Sequence, residues 1–292
     1  MDNKKVWFVT GASKGLGLAL CRQLLAAGHM VAATSRNGDA LVKATGAGKS
    51  ARFLPLEMAL TNEAEVAKAV SDTIKTFGAI DVVVNNAGYG QFGTLEELSD
   101  EETRRNFDIN VFGALNVIRQ VMPYLRQQGS GHIFNIASIG GYASNFPGWG
   151  IYCASKYAMA GFTGALAAEG KAFGIHATVV YPGYFRTSFL SDDSMAGPAH
   201  PIAEYEEARA SEALHRHNID GNQPGDPEKA MQVLIQVASE AHPPLHLFLG
   251  RDAYEMAGLA TEAVHKDLEA WKELTLSTSF ADNSVRIPSM QD

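Results

Sequence analysis

Within "GIYCASKYAMAG", residues 150–161, Tyr152 stands four residues before Lys156. No proline or β-branched residue follows Ile151 in this run, so the spacing predicts a helix with both side chains on one face, about one turn apart. A phenol beside an ammonium is a proton-transfer device. The cation favours the phenolate and lowers a pKa that otherwise lies near ~10. A shift of ~2–3 units takes ~3–4 kcal/mol of electrostatic help. The same spacing also occurs in ordinary amphipathic helices that carry one aromatic and one surface lysine. The pair acquires meaning only from the elements that position it.

Those elements alternate. Strand patterns lie at 5–10, 30–35, 51–58, 80–88, 131–138, 175–183 and 245–250. Helical patterns lie at 17–28, 62–77 (capped by Asn62 with Glu65), 99–128, 152–173 and 227–240. Several strands are apolar throughout. This predicts an α/β fold, a doubly wound parallel sheet of about seven strands with helices on both faces. Ligands bind beyond the carboxyl ends of such strands. Gly11, Asn86, Ser138 and Pro182 all follow strands there. The segment 184–225 lacks sheet character and is rich in Asp, Gly, Pro and His. Its position at the ligand edge predicts a mobile lid. A helical stretch at 258–274 puts Leu259, Val264, Leu268, Trp271 and Leu274 near one stripe, which is expected to pack on the main domain.

"TGASKGLG" joins the first strand to the first helix, with Gly11, Gly15 and Gly17 spaced G-x-x-x-G-x-G. Glycines permit a tight turn and close backbone approach to a pyrophosphate, and the helix N-terminus supplies N–H donors. "GAGKS" at 46–50 mimics the end of a P-loop, but Lys43 occupies the position that motif reserves for glycine. It reads as a solvated turn, and nucleoside triphosphate hydrolysis is excluded. The second strand ends in Ser35 and Arg36. NAD-binding folds place an acidic residue there for the ribose 2′-hydroxyl. A serine followed by a guanidinium favours the 2′-phosphate of NADP instead, and Lys14 adds a second cation.

Composition narrows the function further. A chain of 292 residues, 46% hydrophobic with net charge −8, has no basic footprint for nucleic acid. Two cysteines, Cys21 and Cys153, provide no disulfide framework, and Cys153 reads as a packed thiol. With neither a secretory apolar region nor a stretch of membrane-spanning length, the chain reads as soluble and cytoplasmic, with no membrane partner. His200, His215 and His217 form no metal-like pattern, and no metal or other ligand role is assigned to them.

Taken together, "TGASKGLG", "NNAG" (85–88), Asn110, Ser138, "YCASK" (152–156) and "PG" (182–183) followed by Thr187 resemble the short-chain dehydrogenase/reductase family. "NNAGYGQFGTLEELS", "NVFGALNV", "LFLGRDAYE" and "AWKELTLSTSF" extend the resemblance to its 17β-hydroxysteroid-dehydrogenase-like branch. The resemblance implies a Rossmann-type dinucleotide-binding and catalytic domain over 1–250, with 184–225 as substrate lid. Residues 251–292 then form a helical extension packed on the same domain. It implies hydride transfer between a nicotinamide cofactor and an alcohol–carbonyl pair. Tyr152 would be the general acid/base, and Lys156 would lower its pKa and hold the nicotinamide ribose. Ser138 would hydrogen-bond the substrate oxygen, and Asn110 would place a water linking Lys156 to solvent. Gly11, Ser13, Lys14, Gly15, Leu16 and Gly17 would receive the cofactor's phosphates, with Ser35 and Arg36 beside them. Asn86, Ala87 and Gly88 would line its adenosine side, with Met58 beside Glu57. Pro182, Gly183, Phe185 and Thr187 would line the nicotinamide side. The family usually has aspartate where this chain has Glu57, so the adenine contact is reached through one more methylene.

The alternative is a cofactor-binding sensor or scaffold without turnover, but Tyr152, Lys156, Ser138 and Asn110 are all retained. A sugar-nucleotide epimerase is disfavoured by the glycine spacing and the short C-terminal region. Tyr89, Phe92, Tyr142, Phe146, Trp149, Tyr184 and Phe189 are expected to face the carbonyl and define a wide, apolar substrate site. Helices 99–128 and 152–173 commonly pair with symmetry mates in this family. Their outer faces are expected to hold Leu115, Ile118, Met122, Ala158, Phe162 and Ala165, giving a homodimer or homotetramer.

Charge-assisted bonds contribute ~1.5–3 kcal/mol each. Arg36→Ala is therefore expected to weaken NADPH binding by roughly 10–150-fold, at ~1.4 kcal/mol per decade, and NADH binding far less. Kd values for both cofactors check this, and equal losses for the two would remove Arg36 from the 2′-phosphate.

Overall fold

The structure, a computed structural model, describes residues 4–48, 50–192 and 194–280. Lys49 of the 46–50 turn, Asp193 of the expected lid and the end of the extension after Phe280 lie outside the described residues. The first half of the chain runs β1 (Val6–Val9), α1 (Gly15–Ala26), β2 (Met30–Ser35), α2 (Gly38–Thr45), β3 (Phe53–Glu57), α3 (Glu63–Phe77), β4 (Val82–Asn85), β5 (Gly90–Gln91) and α4 (Asp100–Phe107). A π-helical turn, Asp108–Phe112, joins α4 to α5 (Gly113–Gln128). There follow β6 (Gly131–Ile136), α6 (Gly150–Gly170), β7 (Ile175–Pro182), β8 (Met195–Ala196), α7 (Glu206–Ala213), α8 (Pro227–Val237), β9 (His246–Leu249), α9 (Arg251–Ala270) and α10 (Lys272–Leu276).

Seven strands form one parallel sheet in the order β3-β2-β1-β4-β6-β7-β9. Strand alternation splits consecutive apolar residues between two cores. Trp7, Val9, Val31, Ala33, Val82 and Val84 face α1, α2 and α8, which contribute Leu20, Leu24, Leu41 and Leu234. Phe8, Ala32, Val83 and Ile133 face α3, α5 and α6, which contribute Val70, Val121, Leu125 and Leu166. Each apolar strand is thus buried on both faces. The strand order reverses between β1 and β4, and this switch point opens a cleft at the carboxyl edge.

The local signals for α3 hold. Asn62 Oδ1 accepts from the Ala64 and Glu65 N–H groups, and Gly78, at φ +81°, closes the helix. Four expectations change. Helix α2 stands where no periodic pattern pointed to it, because Leu41 is its only buried residue; Asn37 caps it, and Gly46 of the P-loop mimic ends it at φ +66°. The 184–225 segment is built rather than bare: β8 pairs in parallel with β5, and α7 continues into a π-helical turn, Leu214–Ile219. Arg209 fastens this segment through a bidentate ion pair, at 2.8 and 2.9 Å, to the Glu97 carboxylate, whose side chain is wholly buried. Ile118, expected on an outer face, belongs to the core, and the outward aromatics of α5, α6 and the π-turn before α5 are Tyr124, Tyr157 and Phe112. Finally, α9 packs on the body through Ala253 and Ala257, while Leu259, Val264, Leu268, Trp271 and Leu274 remain exposed. The stripe therefore does not pack on the main domain, because the helix runs past the edge of the body.

Phe8 is fully buried and Leu268 is 59% exposed. Phe8→Ala is expected to lower the unfolding free energy by ~3–5 kcal/mol. Leu268→Ala should lower it by less than ~0.5 kcal/mol. Urea unfolding at low protein concentration distinguishes the two.

Candidate active site

A cavity of about 970 Å³ opens at the carboxyl edge of the sheet. Gly11, Ser13, Lys14, Gly15 and Leu16 line one end, at the N-terminus of α1. Gly11 has φ +65°, and a Cβ there would stand 2.7 Å from Ala87 Cα. Only glycine lets the β1 and β4 loops come this close. Gly17 does not line the cavity. A Cβ on it would stand 2.6 Å from both Asn86 Nδ2 and the Gly11 carbonyl oxygen, so it serves helix–loop packing. Thr10, which the motif reading passed over, locks the two loops together. Its hydroxyl oxygen accepts from the Asn86 and Ala87 N–H groups at 3.0 and 3.1 Å. The Asn86 amide in turn donates to the Thr10 and Gly11 carbonyls, each at 3.0 Å.

Ser35, Arg36 and Met58 line the cavity beside this loop. The Ser35 hydroxyl is spent on its own turn, bonding to the Asn37 main chain. Arg36 makes no ion pair among the described residues and is available to an anion. Glu57 is not brought in. It is exposed, and its Oε2 accepts from the Gly38 N–H at 3.2 Å, at the start of α2. The α2 N-terminus holds the longer carboxylate outside the cavity lining.

Ser138, Tyr152 and Lys156 meet at the middle of the cavity, near Ala87, Gly88, Pro182, Gly183, Phe185 and Thr187. Tyr152 and Lys156 are both buried. The Lys156 ammonium lies 5.8 Å from the Tyr152 ring centroid and donates to the Ile136 carbonyl at 2.9 Å. Burial raises the Tyr152 phenol pKa above its ordinary range, and a hydrogen bond with Ser138 draws it part of the way back. Burial also pulls Lys156 down to about 7. Desolvation therefore outweighs the cation–phenolate attraction expected from spacing. In the protein alone burial pushes both groups toward their neutral forms.

Asn110 lies in the π-helical turn but does not line the cavity. Its Oδ1 accepts from the Tyr89 N–H at 3.0 Å, and its Nδ2 donates to the Tyr89 carbonyl at 3.0 Å and to Ser155 Oγ at 3.1 Å. The Oδ1 accepts this one bond and keeps a second lone pair. A Cβ on Gly88 would meet Asn110 Oδ1 at 2.9 Å and Lys156 Nζ at 3.5 Å. The absent side chain is what brings these groups to one place.

Of the aromatics expected at the substrate end, Tyr89, Phe146, Trp149, Tyr184 and Phe189 line the cavity. Phe92 is fully buried against Trp149, and Tyr142 packs on Tyr181 and Phe248. Two residues to which sequence reading gave no role also line the cavity. Cys153 shares the cavity wall with Tyr152, and burial pushes its thiol up to about 11. His215 reaches in from the turn after α7, and its Nε2 lies 2.9 Å from the Tyr184 hydroxyl. No local pattern marks His215, since its place depends on the path of the whole 184–225 segment.

A glycine-cradled helix N-terminus, a guanidinium beside it with no ion pair among the described residues, and Ser138 beside the buried Tyr152 and Lys156 fit a dinucleotide-dependent oxidoreductase site. Comparison with known proteins agrees. A family profile described as short chain dehydrogenase matches residues 5–196. The chain is 36% identical over 276 residues to oxidoreductase BOA17 of Botryotinia fuckeliana, covering 94% of this chain and 99% of that one. Its fold is similar to that of a crystalline short-chain dehydrogenase from Streptomyces avermitilis, with TM-score 0.87, 33% identity, and coverage of 95% and 100%. It is also similar to a Burkholderia cenocepacia short chain dehydrogenase in complex with NADP, with TM-score 0.69, 27% identity, and coverage of 91% and 97%. The chain belongs to the short-chain dehydrogenase family and is an oxidoreductase. No helix among the described residues is long and apolar enough to cross a membrane.

Burial lowers Lys156 from its ordinary 10.5 to about 7. Between these values the unfolded chain holds a proton that the folded chain lacks, so this group makes stability rise with pH across the window. Relative to Lys156→Met, the wild type is expected to gain up to ~1.4 kcal/mol per pH unit between about pH 7.5 and about pH 9.5. Chemical denaturation of both proteins at several pH values checks it. A difference that does not change with pH counts against a neutral buried amine.

Proposed function

We propose that this protein is an NADP(H)-dependent oxidoreductase that interconverts a ketone or aldehyde and the corresponding alcohol, with Tyr152 as general acid/base. The observation that carries this reading is the buried Tyr152 phenol, sharing with Ser138 and Lys156 the cavity that the glycine loop also lines. The cradle fits a dinucleotide. Gly11 and Gly15, both with positive φ, open the N-terminus of α1, with Ser13, Lys14 and Leu16 around it. Arg36 provides the cation for a 2′-phosphate, and the absence of a carboxylate at Ser35 removes repulsion. Met58, Asn86, Ala87 and Gly88 form the wall at the adenosine side. Pro182, Gly183, Phe185 and Thr187 form it at the nicotinamide side.

When bound, the nicotinamide supplies or accepts the hydride. The chain's own residues manage the proton and the orientation. Ser138 holds the substrate oxygen against the Tyr152 hydroxyl, and Tyr152 donates its proton as charge develops on that oxygen. Lys156, drawn down to about 7, is poised to be charged or neutral near neutral pH. Its charged form favours the phenolate and its neutral form accepts a proton. Asn110 orders the Gly88–Tyr89 wall beside Lys156. Tyr89, Phe146, Trp149 and Phe189 make the substrate end apolar. Residues 184–225 form its cover. Exposed Phe112, Tyr124 and Tyr157 support a homodimer or homotetramer through α5 and α6. The composition supports a cytoplasmic location.

The test is oxidation of NADPH and NADH across a panel of apolar ketones and aldehydes. Turnover faster with NADPH is expected. Tyr152→Phe should lower kcat by ~10²–10⁴ while NADPH still binds. Cofactor binding without turnover on any carbonyl would favour a sensor or scaffold.

A further inference from the structure

The C-terminal helix enters the site through its first turn. Asp252 is the second residue of α9, where the helix N-terminus favours a carboxylate. Its Oδ2 accepts from the Tyr184 N–H at 2.6 Å, a short charge-assisted bond. Gly183 makes this approach possible. A Cβ on Gly183 would stand 2.3 Å from both carboxylate oxygens, and the three nearest atoms it would meet all belong to Asp252. A Cβ on Gly250 would stand 2.5 Å from Oδ1, so glycines flank the carboxylate from two directions. The glycine after Pro182 therefore serves α9 as well as the cavity that it lines.

Tyr184 is held by residues far along the chain. Asp252 takes its N–H, the Gly225 N–H donates to its carbonyl at 2.9 Å, and its hydroxyl lies 2.9 Å from His215 Nε2. The Gly183 N–H donates to the Leu249 carbonyl, also at 2.9 Å. Among these anchors the carboxylate is the charged one, and hydrogen bonds to charged groups are roughly twice as strong as neutral ones. The next turns of α9 brace the other side of the site. Ala253 and Ala257 pack on Ile139, the residue after Ser138, and Thr261 Oγ1 lies 2.8 Å from the Tyr142 hydroxyl. One helix thus touches the turns that follow β6 and β7, the two that carry Ser138 and Gly183.

We infer that Asp252 is a positioning residue for the nicotinamide side of the site, so that the root of the C-terminal helix belongs to the catalytic apparatus. Asp252 does not line the cavity and acts through Gly183 and Tyr184, which do. The carboxylate fixes where the main chain of these two residues lies. Without it the Tyr184 N–H, on a half-buried residue, turns to water, and the wall loses its fixed place. Misplacement by ~1 Å at a reacting centre costs on the order of 10²-fold in rate. The glycine loop takes its place from Thr10, Asn86 and Ala87, and none of those contacts involves Asp252. The effect therefore falls on one half of the dinucleotide. The inference rests on the nicotinamide-cofactor reading for what this wall faces, and on the Asp252–Gly183–Tyr184 contacts for the positioning itself.

The experiment measures Kd for NADPH and for adenosine 2′,5′-bisphosphate, which lacks the nicotinamide half, on the full-length wild type and three variants. Asp252→Ala is expected to raise the NADPH Kd by about fivefold or more and to leave the bisphosphate Kd within about twofold. With a ketone that the wild type reduces, kcat should fall by about tenfold or more, and the ketone KM should change less. Asp252→Asn keeps an acceptor oxygen of the same reach and should recover most of both losses. Asp252→Glu drives a longer carboxylate against Gly183 and should lose as Asp252→Ala does; it decides the matter if circular dichroism shows Asp252→Ala unfolded. An NADPH Kd within about twofold of wild type in the deciding variant, or equal losses for the two ligands, would overturn the inference. Asp252-dependent NADPH binding in a protein that turns over no carbonyl would overturn the carbonyl-reduction reading and leave the positioning role standing. A wild type that binds no NADPH would overturn both.

Discussion

Everything at the site depends on how closely two loops approach where the sheet reverses direction. Strands β1 and β4 are neighbours, and the chain leaves them toward opposite edges of the sheet. A cleft exists there only if the loops that follow are held in register. Thr10 and Asn86 hold them with four hydrogen bonds, and Gly11 removes the Cβ that would collide with Ala87. The glycine loop is usually credited with making room for a phosphate. In this chain Gly11 and Gly17 also make room for the neighbouring loop, and Gly17 does so without lining the cavity.

Beneath the cleft, a buried polar chain ties the strands to the helix that carries the phenol. Asn85 Nδ2 donates to Asn135 Oδ1 at 2.8 Å, and Asn135 Nδ2 donates to Thr163 Oγ1 at 2.8 Å. This links β4, β6 and α6 through groups that would be costly to leave unpaired. Lys156 donates to Ile136 at the end of β6. The helix is therefore set against the sheet by directional bonds as well as by packing, which fixes where Tyr152 meets Ser138. The same burial gives the site its electrostatic character. It pushes phenol and amine toward neutrality, so desolvation is the dominant influence on both.

The 184–225 segment shows how a cover can be ordered without a long strand or a continuous apolar face. One two-residue ladder, one ion pair to the buried Glu97 and one histidine–tyrosine hydrogen bond locate it. Few of these contacts are local. The segment reads as bare loop in sequence because two of these anchors, β5 and Glu97, lie about a hundred residues earlier in the chain, and the third joins its own Tyr184 to His215.

Local order was legible because it rests on short-range rules. Apolar alternation marked the strands, Asn62 marked the start of α3, and the glycine and Tyr-Lys spacings marked the βα turn and the proton-transfer helix. Together with Ser138 and the 85–88 turn, these determined the family and the edge of the sheet that carries the site. The tertiary structure decided what no spacing encodes. It turned Glu57 away toward Gly38, sank Phe92 and Tyr142 into packing, tied the Asn110 amide to Tyr89, brought His215 to Tyr184 and left the α9 stripe in solvent. It also reversed the expected sign of the Tyr152 shift. Periodicity and capping act over a few residues and can be read along the chain. Desolvation and the direction of a side chain depend on residues tens of positions away, and they exist only once the sheet has brought those residues together.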